Sequence, residues 1–193
     1  ENKNSLQIIK KIALGHPEIK FIYKFEENLS HVYKKENFNN EGFKHRILEV
    51  FQDDFFSNSL LVENKIQSDL GDIKLRGFIS IPSYNKVNQS YQFLFVNGRP
   101  VQDRGLSAVI RLSYRDTLPR GRHPQYCLML DISNDQIDVN VHPTKLEVKF
   151  QNYEFLKSFV INSITKALQI KNNNKISKTF NISEISDKIP SHK

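Results

Sequence analysis

The sequence predicts an α+β two-layer sandwich, a sheet with helices packed on one side. Three features lead there. Strand-like stretches come in pairs joined by short polar turns. Helical stretches of ordinary domain length lie before, between and after them. The chain has 193 residues, of which 38% are hydrophobic, enough for one domain with a real core and some spare chain.

The first element is a helix. Leu6, Ile9, Ile12 and Ala13 recur at helical spacing, and Gly15-His16-Pro17 ends it with a C-cap glycine and a breaker. Ile19–Phe25 and His31–Tyr33 read as the strands of a hairpin split by the polar turn Glu26–Ser30. A short helix from Gly42 to Phe51 carries Phe43, Ile47, Leu48 and Phe51 on one side. Ile73, Leu75, Gly77, Ile79 and Ile81 alternate onto one face of a strand. The polar loop Pro82–Ser90 follows, and then YQFLFV, apolar on both faces and so expected as a buried central strand. After the turn NGRP a helix is expected from Asp103, its N-cap, to Thr117. Tyr126–Ile132 and Ile137–Val141 are further strands, joined by Ser133–Gln136. From Asn152 an amphipathic helix presents Phe155, Leu156, Phe159, Val160, Ile164, Ala167 and Leu168. Residues 1–170 are thus expected as one domain. The Asn-, Lys- and Ser-rich stretch 171–193 reads as the start of a flexible linker.

Charge narrows the partners. Lys plus Arg number 28 against 21 Asp plus Glu, a net charge of +7, which favours an anionic partner such as nucleic acid or nucleotide. With a mean hydropathy of -0.51, the chain holds no run near the roughly 20 apolar residues of a membrane span. ENKNSLQIIKK lacks the order of a signal peptide, and a start without methionine predicts a piece of a longer protein. The single cysteine, Cys127, forms no internal disulfide, which fits a reducing cytoplasm. It sits mid-strand among Tyr126, Leu128 and Met129, the setting of a buried core thiol rather than a nucleophile.

Three stretches could carry function. On a helical wheel Arg104, Arg111 and Arg115 fall within about 40° of each other. Leu106, Val109, Ile110 and Tyr114 take the opposite side. Arg120, Arg122 and His123 extend the charge into LPRGRHP, and Asp116 is the only carboxylate between Arg104 and Arg122. Such a row neutralises phosphates without reading bases. An ordinary solvated helix would intersperse Glu at i, i+4, although a plain solvated face remains the alternative. The second stretch is FVNGRP, in which Asn97 and Gly98 signal a tight turn after an apolar strand. Arg99 either joins the cationic surface or caps a carbonyl. The third is NVHPTKLEV. Pro143 fixes the geometry at His142, and Lys145 then projects from a short rigid loop as a point charge suited to a terminal phosphate. Asp138, Asn140 and His142 alternate on one strand face but lack the spaced second pair that a closed metal site needs, so no metal is expected there.

Together FVNGRPVQDR, LPRGRHP and DVNVHPTKLEVKF resemble the MutL family of DNA mismatch repair proteins, and ALGHPEI resembles that family's ALAHPEI segment. The resemblance covers most of the chain, from about Ala13 to Phe150. It implies the transducer domain of that family, with the ribosomal protein S5 domain 2-like fold. It also implies that Lys145, within the motif marked by Asn140, His142 and Pro143, contacts the γ-phosphate of ATP bound in an adjacent ATPase domain. Arg104 corresponds to a DNA-contacting position. Thr144 stands where the family usually has Ala. The resemblance further implies ATP and magnesium in the full-length protein, ATP-driven homodimerisation, and a MutS-type mismatch-recognition partner. The general base, magnesium asparagine and glycine-rich loops of the ATPase domain are not among this chain's motifs, so the fragment is expected not to hydrolyse ATP itself. Two other classes compete. A stand-alone S5-like nucleic-acid-binding module would have no use for a rigid lysine turn. A small-molecule kinase would need a glycine-rich phosphate loop that the 7 scattered glycines do not form.

Overall fold

The computed structural model describes residues 2–25, 29–37, 39–51, 53–67, 71–138 and 148–183. Helix α1 (Asn2–Gly15) leads into a hairpin of β1 (Phe21–Phe25) and β2 (Leu29–Tyr33). Helices α2 (Asn40–Phe51) and α3 (Asp53–Ser57) precede the paired strands β3 (Ser59–Ile66) and β4 (Ile73–Ser80). After the short β5 (Asn85–Lys86), β6 (Gln92–Val96) and β7 (Arg99–Val101) form a hairpin, and α4 (Arg104–Leu112) follows. Strand β8 (His123–Pro124) pairs with β5, and β9 (Tyr126–Ile132) enters the main sheet. The two-residue strands β10 (Ile137–Asp138) and β11 (Lys149–Phe150) pair with each other before the long helix α5 (Tyr153–Ser183).

The main sheet has five strands in the order β3-β4-β9-β6-β7, antiparallel throughout except for the parallel β6–β9 pair. Strand alternation splits its side chains between two cores. On one face Leu75, Leu94, Leu128 and Leu130 meet Leu106 and Ile110 of α4 and Leu156 and Ile164 of α5. This is the expected sandwich, helices on one side of a sheet. On the other face Phe93, Phe95 and Cys127 meet Ala13 and Leu14 of α1, Ile47 of α2 and Phe55 of α3. The N-terminal elements thus add a second cover, and β6 is apolar on both faces because both are covered.

Several details differ from the sequence expectation. In α1, Leu14 is buried while Ile12 stays 39% exposed. Gly15 closes α1 without a positive φ, so it is no left-handed cap; a Cβ there would stand 3.2 Å from the Phe95 ring. YQFLFV is interior but not central, because β9 takes the middle position. Strand β3 was not anticipated: Leu61, Glu63 and Lys65 are all exposed on this edge strand, and the charges obscure its period. Helix α4 ends at Leu112, short of the expected Thr117. Tight i→i−3 bonds take over there, Tyr114 N–H to Arg111 at 3.0 Å and Thr117 N–H to Tyr114 at 3.0 Å. The buried Tyr114 hydroxyl then ties the chain to the Ser80 carbonyl at 2.7 Å. Helix α5 runs on to Ser183, through the stretch where a linker was expected to begin at 171.

Candidate nucleic-acid interface

Helix α4 is built to show one face. Asp103 caps it, its Oδ1 accepting the Leu106 N–H at 2.7 Å, which fixes the start directly before Arg104. Leu106, Val109 and Ile110 are buried against the sheet, so Arg104 and Arg111 are left exposed on the outer side. The expected stripe of Arg104, Arg111 and Arg115 assumed a helix through 115, so α4 carries only the first two. Arg115 lies past its end, in the turns, and pairs with the neighbouring Asp116 at 3.3 Å.

Arg104 and Arg111 border a cleft of about 930 Å³ beside the edge strand β7. Helix α4 lines it with the two arginines and Ser107 between them, and α1 lines it with Gln7 and Lys11. Gln89 and His123 line the cleft as well. Their geometry is mutual: Gln89 Nε2 lies 3.4 Å and Arg111 Nη1 3.5 Å from His123 Nδ1. Two donors facing Nδ1 make it the acceptor and leave the ring proton on Nε2. Burial, and secondly the charge of Arg111, lower the His123 pKa, so the ring is neutral at pH 7. Burial also lowers the pKa of Lys11. Asp103 is the only carboxylate among the lining residues, and the helix cap already engages it. The cleft thus offers cations, amides and hydroxyls to an anion, with one committed acid in the way.

The other expected residues fall elsewhere. Asn97 (φ 48) and Gly98 (φ 76) make the left-handed pair of a tight hairpin turn. Asn97 does more than turn: its Nδ2 donates to the Ile132 carbonyl at 2.8 Å and its Oδ1 accepts the Ile132 N–H at 2.9 Å, so the side chain prolongs the β6–β9 ladder. Arg99 is exposed on β7 and does not line the cleft. Arg120 is exposed and Arg122 half-buried, on either side of Gly121 (φ 71), and neither lines the cleft. Asn140, His142, Pro143 and Lys145 lie outside the described residues. Their flanks are described: Ile137 pairs with Phe150 and Asp138 with Lys149, which sets the two ends of that segment side by side. Cys127 is fully buried, and burial pushes its thiol pKa far up, which agrees with a core thiol. Lys11, Gln7 and Gln89 were missed from the sequence. No local signal joins them to α4, because only the fold brings α1 to the α4 side of the sheet edge. Among the described residues no helix is long and apolar enough to cross a membrane.

Comparison with known proteins gives three concordant results. A family model described as DNA mismatch repair protein, C-terminal domain, matches residues 47–169, more than half of the chain. The DNA mismatch repair protein MutL of Rickettsia felis is 38% identical over 168 residues, covering 86% of this chain and 27% of that protein. The MutL of Rickettsia canadensis shows the same 38% identity over 168 residues. The chain therefore spans about a quarter of the length of the curated relatives it matches. A solved structure, the N-terminal domain of a DNA repair protein, superimposes with a TM-score of 0.70 at 20% identity, over 88% of this chain and 54% of its own. At that identity the likeness concerns the fold.

Proposed function

The chain belongs to the MutL family of DNA mismatch repair proteins, and from that premise we propose that it is the family's transducer domain, joining a non-specific DNA surface to an ATP-sensing lysine. The α4 face is the DNA surface. The observation that carries this is the one-sided helix: among the described residues Arg104 and Arg111 have no acidic partner, and they border a cleft whose single lining carboxylate caps the helix. A row of cations without base-reading partners on a rigid element binds the phosphate backbone, releases counterions, and is indifferent to sequence. Arg115, Arg120 and Arg122 would add peripheral contacts. Lys145 contacts the γ-phosphate of ATP held in the neighbouring ATPase domain of the full-length protein. Its chemistry suits that role, a compact cation with three donors. ATP and magnesium belong to that neighbouring domain, as do the hydrolytic step and the dimer it closes. A MutS-type protein is the expected upstream partner.

The test is a fluorescence-anisotropy titration of a labelled oligonucleotide by the 193-residue chain across a series of salt concentrations, for the parent and for Arg104→Glu. Parental binding is expected to be weak and to fall steeply with salt, with a log–log slope of about −0.9 per phosphate neutralised on duplex DNA. The variant should bind much more weakly and with a shallower slope. Equal binding by parent and variant would mean that the α4 face is only a solvated surface.

A further inference from the structure

Outside the matched range 47–169 lies α1, yet α1 contributes Gln7 and Lys11 to the lining of the cleft. We propose that α1 is half of the DNA site: a backbone phosphate is held between Lys11 on α1 and Arg111 on α4, with Gln7 and Gln89 donating to the same strand. This rests on the DNA reading of α4 and adds to it a further cation that no residue of α4 supplies.

Three observations support it. First, Lys11 reaches the cleft from the cover of the sheet that carries α1, and Arg104 and Arg111 from the cover that carries α4, so an anion in the cleft can meet cations from two elements, which one helix face cannot provide. Second, Lys11 is half-buried, and burial already disfavours its charged form. A cation kept where desolvation works against it gains most from an anionic partner, whereas a lysine in open solvent gains little. Its neighbour makes the contrast: Lys10 is spent on Tyr91, its Nζ 3.1 Å from the hydroxyl and 4.4 Å from the ring centroid. Among the described residues Lys11 has no such engagement. Third, other groups lining the cleft are amides and hydroxyls, Gln7 and Gln89 with Ser90 and Ser107. Neutral groups of this kind donate to a phosphate oxygen without repelling the strand, and phosphate contacts in protein–DNA complexes draw on them routinely. Arg111 is itself positioned, because its guanidinium rests against the neutral His123 ring rather than swinging free.

The experiment is the same salt-resolved titration with Lys11→Gln, Lys11→Glu, Arg104→Glu and the control Lys35→Glu, an exposed lysine that does not line the cleft. Lys11→Gln keeps a polar side chain of nearly the same reach, and circular dichroism with the urea midpoint verifies that α1 still packs. The expected result is a severalfold loss of affinity in Lys11→Gln, with the salt slope reduced by about one unit. Lys11→Glu should lose more, and Lys35→Glu should stay near the parent. If Arg104→Glu loses binding while both Lys11 variants keep the parental affinity and slope, the α1 half is overturned and the α4 surface stands. If Lys35→Glu loses as much as Lys11→Glu, net charge rather than the cleft governs binding, and the proposal fails. If Arg104→Glu binds like the parent, the α4 reading falls first, and the two-helix site with it.

Discussion

Arg46 is among the largest fully buried side chains and, among the described residues, makes more side-chain hydrogen bonds than any other. Its guanidinium donates to the carbonyls of Ala13, His16, Pro17, Ile19 and Lys34, and its Nε lies 3.3 Å from Glu49. Glu49 in turn accepts the Lys34 N–H at 3.1 Å. These acceptors are the end of α1, the entry to β1 and the exit from β2, so one side chain of α2 gathers three segments. Only a planar fork of five donors serves so many carbonyls; a lysine has three donors on a point charge. Arg46→Met keeps the apolar stem but strands the carbonyls and the carboxylate. It is expected to destabilise the chain by about 3 kcal/mol or more, read as a shift of the urea midpoint. Sequence pattern gives no hint of this. In the helix from 42 to 51 the apolar period runs through Phe43 and Ile47, and an arginine between them reads as surface.

At the scale of elements, legibility followed how many sides of an element are covered. Strand β4 alternates because one face is packed against α5 and the other is less deeply covered, and α4 segregates because one face alone is buried. Strand β3 buries Val62 but shows Leu61 to solvent, so its hydrophobic pattern points the wrong way. The end of α4 depends on Tyr114 reaching Ser80, a contact across 34 residues that no local window contains. Gly77 shows how a pattern can be right while its reason is hidden. It fits the alternating face of β4, yet it sits at φ +138, and a Cβ there would run into the Cys127 carbonyl oxygen of β9. Gly77→Ala must therefore strain its own backbone and push apart the β4–β9 pair, the pair that joins β3 and β4 to the rest of the sheet. A loss of about 3 kcal/mol or more is expected in denaturant unfolding. An Ala variant as stable as the parent would show that the sheet yields there at little cost.

For the whole molecule, the two covers of the sheet divide the work. Helix α4 belongs to one cover and α1 to the other, and the cleft lies beside the edge strand β7 where both reach. The residues that follow the Lys145 segment are anchored in the α4 cover. Val148 and Phe150 are buried in the same core as Leu106 and Ile110, and the Gln151 N–H reaches the Gln136 carbonyl at 2.9 Å. The chain that follows the proposed ATP contact and the proposed DNA face therefore share one packed layer, a physical route by which a pull on one could bias the other. The core that joins positions 106 and 150 was not legible in the sequence, since packing alone brings them together. If the two roles are separate at the residue level, Lys145→Ala in the full-length protein should slow ATP turnover by roughly 100-fold, the scale of removing one donor from a charged transition state. The same substitution in the 193-residue chain should leave DNA affinity and its salt slope at the parental values. The opposite pattern, weakened DNA binding with ATP turnover intact, would move Lys145 onto the DNA surface and make the chain a nucleic-acid module without a nucleotide link.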